Sequence, residues 1–436
     1  MKNFLYLTLT FIIVTSCAPS SEQSLQSEDL DNFLVMVEEE NKKDGPIIYS
    51  ASWISSNFIT YDSQKVIADY GTRYTLKSLE RSRQASAFDN LKTTPENQRM
   101  LNILKSSFVM PPPLDEDLAA ELSEISTGLE AMYGAGEYCY EDGSCYDLEA
   151  FESIIDNSRN PEELLKAWKG WHEIGKPMKP MYMRMVEIGN KGSKDLGYDG
   201  LSDLWFSKYD MPAEDFLYET DRVWEEVKPL YDALHCHVRA KLNEHYGDEV
   251  VSNSGPLPVH LLGNMWGQSW SNIYDLVYTE QSKSNSVDVT KIINDKEIDE
   301  IEMVEYAEDF FISIGFEPLP STFWERSLFV KPRDRAVVCH ASAWNLDPAN
   351  NDLRIKMCIQ RNEEDFITIH HELGHIFYYQ AYNHLPTLFQ GGANDGFHEA
   401  FGDLLTLSIT PDYLTQINFI SEDEVSLAKE DPIGLL

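Results

Sequence analysis

Apolar residues recur at three- and four-residue spacings among charged ones through 29–42, 57–83, 163–173, Ala213–Tyr246 and 298–314. That period predicts helices that each bury one face. Pro112 and Pro113, Pro256 and Pro258, and Pro318 and Pro320 punctuate them, since proline cannot continue a helix. Strand-like runs are few: 335–342 and, more weakly, 353–358. There is no internal repeat and no second long hydrophobic span. The pattern predicts one large, mainly helical body with a small β element.

Composition adds limits. Among 436 residues, 42% are hydrophobic and 12% aromatic, enough for a large core and too rich for a disordered chain. The formal charge of -38 argues against nucleic acid as a partner, because phosphate is neutralised by Lys and Arg. A solvated acidic exterior accounts for the rest of that charge.

The first residues form an address. Lys2 precedes a short apolar run over 4–14 that ends in Val14-Thr15-Ser16-Cys17, too short to span a bilayer comfortably. A small residue before a cysteine at this place resembles the bacterial lipobox. The expectation is a signal peptide over 1–16, a lipid-modified Cys17, a polar tether over 17–30 and a catalytic domain over 31–436. Such a chain is exported to the bacterial cell envelope as a lipoprotein of the outer membrane or periplasm, with its membrane contact through Cys17. Ala18, which is not the Asp of inner-membrane retention, weakly favours the outer membrane.

The other cysteines suit an oxidising compartment. Cys139 and Cys145 bracket a tight Gly-containing segment, and Cys339 and Cys358 a polar loop with Pro348, Asn350 and Asn351; both are candidate local disulfides, although spacing leaves the pairing open. Cys236 reads as a buried thiol on a helix.

The chemistry lies in His371-Glu372-Leu373-Gly374-His375. On a helix the two histidines, four apart, project from one face and can share a zinc ion. Glu372 points beside the metal, placed to take a proton from water that the metal activates. Three fixed residues recur by chance, and a helix with two core-facing histidines is the plainer reading until a third ligand appears. Gly396-Phe397-His398-Glu399-Ala400-Phe401-Gly402-Asp403 supplies one. Glu399 completes a His-His-Glu site for one zinc per chain, and Asp403, on the same face, can hydrogen-bond a ligating imidazole. His370 and His398 are read as facing elsewhere, in structural roles.

With those two helices the chain resembles the angiotensin-converting enzyme, or peptidyl-dipeptidase A, family. The resemblance extends to Gly255-Pro256-Leu257-Pro258-Val259-His260-Leu261-Leu262-Gly263-Asn264-Met265-Trp266, to Gln268-Ser269-Trp270 and to Val337-Val338-Cys339-His340-Ala341-Ser342-Ala343-Trp344. It runs from about residue 30 to the last one. It implies a mainly helical zinc peptidase of the gluzincin type, with a deep central cleft under a lid of N-terminal helices and a small β element beside the active site. It also implies release of dipeptides from the C-termini of oligopeptides. Carried over, His371, His375 and Glu399 are the zinc ligands and Glu372 the general base. His340 and the Ala341 backbone hold substrate near the cleaved bond, Gln268 meets its C-terminal carboxylate, and Cys139–Cys145 and Cys339–Cys358 are disulfides.

Two departures follow. Family members continue well past the position matching Leu436, with residues that grip the substrate carboxylate and steady the tetrahedral intermediate, so the chain reads as lacking its C-terminal segment. His172 stands near an Arg that binds activating chloride in animal members, and chloride dependence is not carried over. Two other readings stay open: a zinc oligopeptidase that cuts internally, and a catalytically weak surface peptide-binding protein. Oligomeric state is not legible.

Overall fold

The computed structural model describes residues 25–134, 136–278, 287–335, 337–394 and 396–423. The leader over 1–16, Cys17, most of the tether, Asp395 and the closing run 431–436 lie outside the described residues.

The first helix, Ser27–Asn57, begins earlier and ends later than its pattern predicts. Ser27 to Leu30, read as the end of the tether, belong to the folded body, because Leu30 is completely buried. The helix also passes through Gly45 and Pro46. Proline removes one backbone donor, but Ile48, Ala51 and Trp53 beyond it are buried and carry the helix on. Asn57, expected to open the second helix, closes the first. The second starts at Tyr61, where the Thr60 hydroxyl accepts from the Ser63 N–H and the Ser63 hydroxyl accepts from the Thr60 N–H. That reciprocal cap resets the chain. Helices Tyr61–Ser86 and Pro95–Ser106 pack with the first around Leu30, Phe33, Val37, Phe88 and Leu101. Arg81, only 4% exposed, locks the set through Glu40 and the Asn41 side-chain oxygen.

A second core joins helices Leu148–Asn157 and Pro161–Gly175 to the end of the long helix Ala213–Tyr246. Phe151, Leu242 and Val251 are fully buried there. Beside it the antiparallel strands Glu137–Cys139 and Cys145–Asp147 are joined by the Cys139–Cys145 disulfide. The 213–246 expectation coincides with the helix, and 163–173 lies inside its helix. Cys236, expected to be buried, is exposed, because this helix presents apolar positions to its surface as well as to the core.

The third core carries the chemistry. Helices Glu300–Ser313, Glu363–Tyr382 and Pro411–Gln416 surround Phe311, Phe323, Phe366 and Phe377. The antiparallel hairpin Ser342–Asp347 and Asp352–Lys356 lies against the Glu363–Tyr382 helix, with Ser342 opposite Lys356 and Trp344 opposite Arg354. The expected strand over 335–342 is displaced: pairing begins only at Ser342. The preceding segment directs its bonds to the end of the first helix instead. The Arg335 guanidinium donates to the Asn57 carbonyl and lies over the Phe58 ring, and the Val338 N–H donates to the Ser56 carbonyl. Trp53 of that helix meets Trp344 edge-on at 5.5 Å. Among the described residues no helix is long and apolar enough to cross a membrane.

Candidate active site

The histidine helix, Glu363–Tyr382, starts where the Asn362 side chain accepts from the Asp365 N–H. Its apolar residues at 366, 369, 373, 376 and 377 are fully buried, so the helix cannot rotate without exposing its core. That fixes the direction of the opposite stripe, His371, His375 and the neighbouring Glu372. A second short helix, Phe397–Thr406, crosses it. Gly396 opens this helix at φ 79°, in the left-handed region that favours glycine.

The contact between these helices depends on two glycines. A Cβ on Gly374 would lie 3.0 Å from the Gly402 Cα, and one on Gly402 would lie 2.8 Å from the His371 Nδ1. The backbones therefore approach until the His371 ring rests on Gly402. This brings the Glu399 carboxylate 3.2 Å from the His371 Nε2 and 3.7 Å from the His375 Nε2. One ligand atom from each of His371, His375 and Glu399 lies within 4.8 Å of the others. Two imidazoles and a carboxylate are the donor set of a catalytic zinc site with a position left for water. The residues fit that metal.

Behind the donors, the Asp403 carboxylate accepts from the other nitrogen of His371, with Nδ1 and Oδ1 3.0 Å apart. His375 has a different support. Its Nδ1 lies 3.2 Å from the His398 Nδ1, and the His398 Nε2 lies 2.8 Å from the Tyr382 hydroxyl. If the His375 Nδ1–H donates to His398, and the His398 Nε2–H to Tyr382, the His375 Nε2 keeps its lone pair for a metal. His398 thus does not face elsewhere, as its position beside Glu399 suggested. It turns inward because Tyr378, Tyr379 and Tyr382 pack around its ring. No spacing rule in the sequence would have linked it to His375. His370 does face away: fully buried, it bonds the Phe366 carbonyl and the Tyr413 hydroxyl.

Burial holds the imidazoles of His375, His370 and His398 below the usual histidine range, the last two at about 4. They are therefore neutral at pH 7, the form in which imidazole ligates. Glu372 is 6% exposed, and its Oε2 is buried with no hydrogen-bond partner among the described residues. Burial pushes its carboxyl up to about 7; the charge of His371 opposes this, Glu399 adds to it and Lys356 opposes it. A carboxylate of that basicity with an unmet oxygen is suited to proton transfer near neutral pH.

The expected substrate contacts are placed less completely. His340 is exposed and Ala341 half-buried, in the segment leading into the hairpin, and Ala341 packs against the core under the histidine helix. Gln268 is exposed in the loop between the 3-10 turns Val259–Leu261 and Ser271–Ile273. The Cys339–Cys358 disulfide is formed. His172 donates to the Trp168 carbonyl of its own helix and stacks on the Trp168 ring.

Comparison with known proteins bears on the whole chain. The family model described as angiotensin-converting enzyme matches residues 24–436. Angiotensin-converting enzyme of Bos taurus is 38% identical over 380 residues, which cover 86% of this chain and 29% of that protein. The enzyme of Haematobia irritans exigua is 33% identical over 439 residues, covering 98% of this chain and 70% of its own length. That of Theromyzon tessulatum is 33% identical, covering 96% and 68%. The chain thus spans under a third of the length of the mammalian relatives it matches. By the extent of these matches, the chain belongs to the angiotensin-converting enzyme family.

Proposed function

We propose that this chain is a zinc metallopeptidase that releases dipeptides from the C-termini of oligopeptides, with Glu372 as its general base. The observation that carries the reading is the convergence of His371, His375 and Glu399 beside a buried Glu372 with an unmet oxygen. When bound, zinc supplies a Lewis acid for the carbonyl and a water of lowered pKa.

The residues of the chain then divide the work. His371, His375 and Glu399 hold the metal, one ion per chain. Asp403 orients His371, and His398 with Tyr382 orients His375. Glu372 accepts the proton of the attacking water and returns it to the leaving amine. The peptide lies along His340 and Ala341 as an added edge strand, and Gln268 meets its terminal carboxylate. The names of the relatives support the activity. Export as a Cys17-anchored envelope lipoprotein is proposed with it, and the two disulfides suit an oxidising compartment.

A blocked tripeptide tests the reading. Release of its C-terminal dipeptide, abolished by a chelator and restored by zinc, is the expected result. Internal cleavage of longer peptides without dipeptide release would favour an oligopeptidase. Stoichiometric zinc with no turnover would leave a peptide-binding protein.

A further inference from the structure

Lys356 ends the second strand of the hairpin, opposite Ser342, and is 2% exposed. Along this strand Leu353, Ile355 and Met357 fill the core, so Lys356 and Cys358 face the other way. A buried ammonium is costly unless its donors are met. The Lys356 Nζ donates to the carbonyl oxygens of Val338 and His340, each at 2.6 Å. Cys358, two residues on, is bonded to Cys339, which lies between those two carbonyls. Three consecutive residues are therefore held from one strand face, by a covalent bond at the centre and a hydrogen bond on either side.

The segment needs such cross-links because residues 337–341 pair with no strand. Among the described residues that backbone is otherwise held by the Val338 N–H bond to the Ser56 carbonyl, and ordering it costs conformational entropy. Packing alone gives no reason for a lysine here, since an apolar chain would fill the space at lower desolvation cost. Burial brings the ammonium down to about 8, still charged at neutral pH, and its field reaches Glu372. The strand that follows the pinned segment packs on the histidine helix, whose Tyr379 hydroxyl donates to the Ala343 carbonyl.

We propose that Lys356 is a positioning residue for peptide substrate: by holding the Val338 and His340 carbonyls, it sets the His340 side chain and the Ala341 backbone as the edge on which the peptide lies. The inference rests on the peptidase reading above. Lys356→Met keeps length and removes the donors, whereas Lys356→Gln keeps N–H donors without the charge. With the blocked tripeptide, Lys356→Met should raise KM roughly tenfold and change kcat by less than about threefold. Lys356→Gln should recover much of that loss. Amide hydrogen exchange at 338–341 should quicken roughly tenfold in Lys356→Met, with the histidine helix and zinc content unchanged. Unchanged KM with unchanged exchange, or a fall in kcat alone, overturns the proposal. If Lys356→Met does not fold, amide exchange at 338–341 of the wild type decides: slowing on addition of the tripeptide supports the proposal, and no slowing overturns it. A wild-type protein without turnover overturns the peptidase reading instead. Exchange at Ala341 with and without the tripeptide then decides the positioning role, and no slowing on peptide addition sinks it.

Discussion

Two long helices treat their apolar residues in opposite ways. In Glu363–Tyr382, Phe366, Ile369, Leu373, Ile376 and Phe377 have no solvent exposure, whereas in Ala213–Tyr246 Leu217, Val223, Val227 and Leu230 are about half exposed. Both helices carry the periodic spacing that predicts a helix. The difference lies in what crosses them. The histidine helix is packed by the hairpin, by Glu300–Ser313 and by Phe397–Thr406, so its position is over-determined and its donors sit at set separations. The long helix is tied down chiefly near its end, where Val238 and Leu242 are buried. Rigid support is what a metal site needs, since misplaced ligands lose affinity.

The sharpest way to break this contrast is at the base. Glu372→Gln should lower kcat on the blocked tripeptide by at least about 10²–10⁴-fold with zinc content unchanged; a loss below tenfold would remove the base assignment. Next is packing under the ligands. Leu373→Ala, at a fully buried site, should cost about 2–5 kcal/mol in chemical denaturation. Gly402→Val should weaken zinc binding by about 10–100-fold in chelator competition, because its Cβ would meet the His371 ring.

A smaller effect is set by pH. In metal-free protein the Glu372 carboxyl is raised from 4.5 to about 7. The folded state therefore holds a proton that the unfolded state has lost, and this stabilising contribution, complete below pH 4.5, disappears as pH rises to 7. Metal-free Glu372→Gln should accordingly exceed wild type by about 3 kcal/mol at pH 8 and gain nothing from this source at pH 4. Equal differences at both values would show that Glu372 titrates normally. The smallest change belongs to the open helix: Leu230→Ala should alter stability by no more than about 0.5 kcal/mol and leave zinc affinity as it was.

Legibility followed the same division. His371 with His375, and Glu399 with Asp403, were readable because residues four apart on a helix must share a face, whatever surrounds them. The helix Ala213–Tyr246 and the two disulfides lie where local pattern and resemblance put them. The strand expected over 335–342 was misplaced because Val338 and Arg335 spend their hydrogen bonds on the end of the first helix. His398 was misread because its direction is set by three tyrosines of another helix.

By itself, then, the sequence determined the donor types, their helical spacing and the base between them, all consequences of backbone periodicity within a few residues. Only the tertiary structure decided that Gly374 and Gly402 let two backbones meet, that His398 supports His375, and that Lys356 reaches back to Val338 and His340. Those contacts join separate segments whose meeting depends on which apolar faces bury one another. Burial is a property of the whole packed body, and no local spacing encodes it.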